Sequence, residues 1–142
     1  MSGKSLSLVR EFDSPIEDVY RAWTDPERLA QWVGEVDAAD VRVGGAYRFV
    51  NDDGQGGQFI HHGQYLELVP DRKIVMTFKA GQVEDNPYQN ETIAIELVAL
   101  DGRRTELTLT NRWDGPAMGD EDIEATKQGW SAWLDLLAEA LA

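Results

Sequence analysis

The 142 residues include no cysteine and carry 26 acidic against 13 basic side chains, a formal net charge of −13. Without thiols there is no disulfide framework, thiolate metal site or cysteine nucleophile, so a hydrophobic core must hold what the length makes one domain over residues 1–142, burying roughly 68–70% of its unfolded surface. The acid excess argues against nucleic acid and membrane surfaces as partners, because both ask for positive charge.

In chain order, residues 1–8 lack the cationic start, apolar stretch and cleavage site of a secretory signal. No apolar run approaches the ~18 residues of a membrane span, and the cytoplasm is the expected location. Residues 5–12 alternate, with Leu6, Leu8 and Arg10 on one side, and predict a first strand. Ser14-Pro15-Ile16-Glu17 then offers a hydroxyl N-cap, a proline at the first helical position and a glutamate at the third. Ile16, Val19, Tyr20 and Trp23 give that helix one apolar stripe. Thr24-Asp25-Pro26-Glu27 repeats the start signal, so a second short helix carrying Leu29, Trp32 and Val33 is expected.

Beyond Gly34 the period changes. Val41 and Val43 precede Gly44-Gly45, and Tyr47 and Phe49 alternate with Arg48 and Val50, which predicts strands around a tight turn. Residues 51–57 are rich in turn formers, and residues 59–69 and 73–80 read as a hairpin joined at Pro70-Asp71. Residues 81–90 resemble a longer loop, while Asp101-Gly102, between strands at 92–100 and 104–113, is the strongest hairpin signal. Residues 119–142 predict a long amphipathic helix, acidic in its first turn, with Ile123, Lys127, Trp130, Leu134, Leu137 and Leu141 on one stripe widened by Trp133. A strand, two short helices, about six strands and a terminal helix make a segregated α+β architecture, in which helix covers the apolar face of an antiparallel sheet.

That order comes with four local strings: Ser14-Pro15-Ile16-Glu17-Asp18-Val19-Tyr20-Arg21-Ala22-Trp23, Thr24-Asp25-Pro26-Glu27 with Trp32, Gly63-Gln64-Tyr65-Leu66-Glu67-Leu68-Val69-Pro70, and Gly129-Trp130 running on to Leu137. Together they resemble the activator of 90-kDa heat shock protein ATPase homologue family of the START-like, or SRPBCC, superfamily, over nearly the whole chain. The resemblance implies a helix-grip fold, a curved antiparallel sheet of about six or seven strands wrapped around the C-terminal helix. It also implies a cavity or groove between them that often holds a hydrophobic small molecule. Relatives include co-chaperone modules, lipid and hormone carriers, and a minority of enzymes such as aromatases and cyclases. The extra N-terminal domain of eukaryotic co-chaperones has no counterpart, which implies the single-domain bacterial type, one START-like domain over residues 1–142.

No residue pattern specifies catalysis, a metal or a cofactor. His61 and His62 are the only histidines, and adjacent strand positions face opposite ways, so they do not share a metal shell. Asn51-Asp52-Asp53-Gly54 clusters oxygen ligands without the ladder and closing glutamate of a calcium loop, and Gly54, Gly56 and Gly57 lack a P-loop lysine. No serine has a G-x-S-x-G setting.

The aromatic residues carry the remaining signal. Trp32, Tyr47, Phe49, Phe78, Trp113, Trp130 and Trp133 fall on expected inward stripes, where wide ring faces serve either as plain core or as the lining of an apolar ligand site. Strand parity adds Leu109 and Asn111 beside Trp113, Met76 beside Phe78, and Ile95, while Leu134 and Leu137 continue the helix face. On the 59–69 strand parity leaves two choices: Phe59, His61 and Tyr65 compete with Ile60, His62 and Leu66 for the inner face. Asn111, an amide among apolar neighbours, must meet water, backbone or a polar group of a ligand.

The expected function is non-catalytic binding of a small hydrophobic ligand between the C-terminal helix and the sheet, as carrier or sensor. One rival is a chaperone-interacting module. The other is an enzyme of the cyclase or hydratase kind, with His61, Tyr47 or Asn111 polarising a bound carbonyl. A homodimer through the sheet edge or exposed aromatics is compatible with the pattern, provided the contact patch is locally neutral despite the net charge.

Overall fold

The computed structural model describes residues 4–52, 58–80 and 89–141. Among these residues eight strands occur, β1 (Ser5–Phe12), β2 (Glu35–Ala39), β3 (Ala46–Asp52), β4 (Gln58–Val69), β5 (Lys73–Thr77), β6 (Lys79–Ala80), β7 (Gln89–Asp101) and β8 (Arg104–Asp114), with helices α1 (Ile16–Thr24), α2 (Pro26–Leu29) and α3 (Asp120–Leu141). The strands pair antiparallel in the order β1-β8-β7-β5-β4-β3-β2, and β6, which continues β5 past Phe78, pairs with β4. This is the helix-grip arrangement: a curved antiparallel sheet, two short helices after its first strand, and a long C-terminal helix. None of the described helices is long and apolar enough to cross a membrane.

Period-two alternation decides which face is buried. Along β8, Thr105, Leu107, Leu109, Asn111 and Trp113 are buried while their neighbours are not. Register aligns such residues into rows across the sheet. One row runs Leu6, Asn111, Ile93, Met76, Tyr65, and the next runs Leu8, Leu109, Ile95, Ile74, Leu68. Trp130, Leu134 and Leu137 of α3 are buried in the same core as these rows. A clamp on β1 fixes the helix from one side: Arg10 donates to Asp135 Oδ1 at 2.5 Å and to Ser131 Oγ at 2.8 Å.

Several local expectations give way to tertiary demands. Ser14 does not cap α1, whose N-cap is Pro15 with no side-chain bond. The buried Ser14 instead donates its hydroxyl to the Leu141 carbonyl at 3.5 Å and accepts Thr105 Oγ1 at its own carbonyl at 2.8 Å, because both groups lie where β8 and the end of α3 meet. Asp25 behaves as expected, accepting the Glu27 amide at 3.0 Å as the N-cap of α2. That helix lasts only four residues, and Trp32 and Val33 are buried in the turns beyond it.

Val41 and Val43 are not in a strand. β2 lies upstream, Val43 is 66% exposed, and residues 40–45 form a turn pinned to β4 through Gly44 N–H to Tyr65 O and Tyr65 N–H to Gly45 O. A side chain at Gly45 would place Cβ 1.9 Å from the Asp40 carbonyl oxygen, so only glycine permits that turn. β7 begins earlier than residue 92, at Gln89. Of the turn expected at 51–57, Asn51 and Asp52 instead continue β3, paired with Phe59 and Gln58, and residues 53–57 lie outside the described residues, as does most of the loop expected at 81–90.

The sheet bends sharply where β4 exchanges partners. Residues 58–64 pair with β3, and beyond them Tyr65 to Val69 pair with β5. At the changeover a Cβ on Gly63 would sit 2.2 Å from the Thr77 carbonyl oxygen, and Thr77 Oγ1 accepts the Gln64 amide at 2.8 Å. A bulge between Tyr65 and Glu67 then resets parity, so that Tyr65 and Leu68 both turn inward and Leu66 is 45% exposed.

Candidate functional site

The inner face of the bend, roofed by the middle and second half of α3, collects aromatic side chains from α1, β3, β4 and α3, together with Trp32 beyond α2 and Phe78 between β5 and β6. Rings follow one another in contact: Trp23 and Trp32 at 4.7 Å between centres, Trp32 and Trp133 at 5.9 Å, Trp133 and Trp130 at 5.6 Å, and Trp130 and Phe78 at 5.1 Å. His61 joins this set, 4.5 Å from Trp133 and 5.3 Å from Phe78. A second set on β3 and β4 packs Tyr47 against Phe49 at 4.9 Å and against Tyr65 at 5.4 Å. These are edge-on or tilted arrangements, which the ring quadrupoles favour.

The parity left open on β4 is settled by register and burial. His61 and Tyr65 face the grip and are buried, whereas His62 turns to the other side of the sheet. The side chain of Phe59 lies outside the described residues. Trp32, Tyr47, Phe49, Met76, Phe78, Ile95, Leu109, Asn111, Trp113, Trp130, Leu134 and Leu137 are all buried, and Trp133 is half-buried. They do not form one ring around a point. Ile95 and Leu109 are directly paired in the sheet floor on β7 and β8, and Trp113 turns its indole N–H to the Pro116 carbonyl at 3.1 Å. Among the described residues no group of three or more histidine, aspartate or glutamate side chains converges as metal ligands would.

Polar groups inside the grip fall into two kinds. Asn111 is fully engaged: its Nδ2 donates to Glu91 Oε2 at 3.0 Å and to the Thr92 carbonyl at 3.2 Å, and its Oδ1 accepts the Trp130 indole N–H at 3.3 Å. The amide thus fastens α3 to β7 and β8, and backbone and side chains meet the need that its sequence context announces. Tyr47 donates to the Thr77 carbonyl at 2.7 Å. The hydroxyl of Tyr65 and the indole N–H of Trp23 are buried with no hydrogen-bond partner among the described residues.

Burial dominates the electrostatics. It pushes the Tyr65 hydroxyl up to about 12 and, reinforced by Tyr65 and Glu91, raises Tyr47 further, so both stay protonated. Burial also raises the Glu91 carboxyl, against the opposing pull of the Asn111 hydrogen bond. His61 is lowered to about 4 by burial and then by neighbouring His62, which leaves a neutral imidazole at neutral pH.

Glu91 and Trp23 are not among the site residues expected from the sequence, and Tyr65 stands there only as one of two alternatives for the inner face of β4. Glu91 was legible, since it shares parity with Ile93 and Ile95, whose inward direction is plain. Tyr65 keeps the parity of His61, and the bulge that follows it brings Leu68 to the same face.

Over residues 13–142 the chain matches the family profile described as activator of Hsp90 ATPase homolog 1-like protein. Protein CV1439 of Chromobacterium violaceum is similar in structure, with 29% identity, 97% of this chain and 96% of that chain covered, and a TM-score of 0.80. The Aha1 dimer of Colwellia psychrerythraea shares the fold at 17% identity, with a TM-score of 0.75 over 96% of this chain and 95% of that one. An uncharacterised protein of Schizosaccharomyces pombe is 27% identical over 112 residues, which is 79% of this chain, and the chain spans 30% of that relative's length. The profile match from residue 13 to the last residue, carried on the helix-grip sheet and its roofing helix, makes this chain a member of the activator of Hsp90 ATPase homolog 1-like family, within the START-like proteins.

Proposed function

We propose that the protein binds a small, largely apolar molecule beneath α3 without transforming it, and that the molecule's single polar group meets the Tyr65 hydroxyl. The observation that carries this reading is that hydroxyl: wholly buried, protonated, and without a hydrogen-bond partner among the described residues. An unmet buried donor costs about 1–3 kcal/mol, and a ligand carbonyl or ether oxygen at that point removes the cost. The surrounding rings supply apolar contact, and Trp133, in contact with Trp32, His61 and Trp130, is half-buried and so the ring of that set most open to solvent. Catalysis finds little support in the same groups, because burial makes His61 a weak base and Asn111 has its amide fully committed.

The test compares wild type with Tyr65→Phe, using 2-acetylnaphthalene as probe and naphthalene as the control that lacks the carbonyl. Tryptophan quenching and the melting temperature report binding. The free variant should be as stable as wild type or more so, since it sheds an unmet hydroxyl, while its affinity for the ketone should fall about tenfold, equivalent to about 1.4 kcal/mol. Unchanged affinity in the variant overturns the anchoring role. No response of wild type to either compound or to dodecanol overturns ligand binding in the grip.

A second reading, regulation of a chaperone ATPase, draws on the family description. An unchanged ATPase rate when the chain is added to a 90-kDa heat shock protein argues against it. We also read residues 1–142 as one START-like domain acting in the cytoplasm. The dimer formed by the Colwellia psychrerythraea relative makes a homodimer the assembly to look for by sedimentation.

A further inference from the structure

On the side of the sheet away from α3, an open groove of about 660 Å³ lies beside the bend at Gly63, within the volume range of small-molecule sites. Ala38, Ala46 and Ile60 contribute apolar surface to it, and Arg48, His62 and Lys79 the basic groups. Register sets those three basic residues in one row across three strands: Arg48 on β3 lies directly opposite His62 on β4, and His62 directly opposite Lys79 on β6. Side chains opposed in this way stand about 4.5–5.5 Å apart at Cβ, where like charges weaken a sheet. A chain with twice as many acidic as basic residues nonetheless gathers three basic ones here. Arg48 is balanced by Asp37, 2.5 Å away. Lys79 is exposed and forms no ion pair among the described residues.

We infer that this outer groove binds an amphipathic monocarboxylate, its head on Lys79 and His62 and its short apolar body along Ala38, Ala46 and Ile60. The charge count selects a singly charged head. One full positive charge is left unbalanced, so a monoanion neutralises it, whereas a phosphate dianion brings more charge than the row offsets. The apolar surface selects a hydrocarbon body over a polar one. This site lies on the face of the sheet opposite the grip, since His62 and Lys79 face away from His61 and Tyr65, and Tyr47 is the grip residue that also borders it.

Octanoate is the probe, with octan-1-ol as its uncharged counterpart, and amide NMR shifts identify the face that responds. Octanoate should shift Ala46, Gly63 and Gln64. Octan-1-ol should bind about 3–5-fold more weakly, and Lys79→Met should weaken octanoate about 2–5-fold without changing octan-1-ol, the effect expected for one exposed charge contact. His62→Gln should weaken octanoate about 3-fold, and added salt should weaken it progressively. Tyr65→Phe should leave octanoate binding unchanged, which separates this site from the one in the grip. Shifts confined to Ile93, Asn111 and Trp130, equal binding of the alcohol, or full affinity in Lys79→Met would each overturn the inference.

Discussion

Replacing His61 with phenylalanine exchanges a buried imidazole, held against Phe78 and Trp133, for a ring of similar shape that cannot ionise. Burial lowers the folded pKa of His61 from 6.5 to about 4, with His62 adding to the shift. Between those two values the unfolded chain holds a proton that the folded chain refuses. Stability therefore falls as pH drops from 6.5 towards 4, and above about 6.5 this group leaves it unchanged. At pH 5 the full linkage is about 2 kcal/mol, and the incomplete burial of the residue, which is 8% exposed, reduces the expected effect to about 1–2 kcal/mol. Urea unfolding of wild type and His61→Phe at pH 7.5 and pH 5 measures it. At the higher pH the two should lie within about 1.5 kcal/mol of each other, as shape-conserving core replacements do. At the lower pH the variant should gain about 1–2 kcal/mol relative to wild type. His62 is present in both proteins, and its effect on His61 is part of the shift that the comparison reads. A difference between the two proteins that stays constant across this range would show that the imidazole titrates alike folded and unfolded, and the account of His61 as a neutral member of the aromatic set would fall.

Gly63→Ala should destabilise by about 2–4 kcal/mol in the same assay, because the new Cβ meets the Thr77 backbone oxygen at 2.2 Å rather than a side chain that can rotate away. A loss below about 1 kcal/mol would mean that the bend relaxes freely. Asn111→Leu should cost about 2–4 kcal/mol, since it strands both the Glu91 carboxyl and the Trp130 indole N–H inside the grip. A near-neutral result would show that these groups find other partners. Arg10→Met keeps most of the apolar stem but removes the clamp on Ser131 and Asp135. Its partly exposed setting limits the loss to about 0.5–1.5 kcal/mol, and hydrogen exchange of α3 amides should quicken selectively. Uniform quickening across β7 and β8 as well would count against a local latch.

The sequence alone determined what depends on neighbours along the chain. Period-two alternation marked β1, β7 and β8, the 3.6-residue stripe from Ile123 to Leu141 marked α3, and Asp25-Pro26 marked the start of α2, because each signal is complete within one short window. Only the tertiary structure decided matters that join distant windows. Ser14 serves β8 and the end of α3 instead of its own helix, and β2 pairs ahead of the valines that look like a strand. Which polar group in the grip goes unmet follows the same rule. Asn111 reads as the group in need, yet Glu91, 20 positions earlier, and Trp130, 19 positions later, satisfy it, and the unmet hydroxyl belongs to Tyr65, where β4 turns from β3 to β5. The row formed by Arg48, His62 and Lys79 likewise exists only once three strands take up their register. Hydrogen-bond satisfaction and cross-strand juxtaposition are properties of pairs brought together by folding, so local pattern announces the demand and the fold alone names the partner.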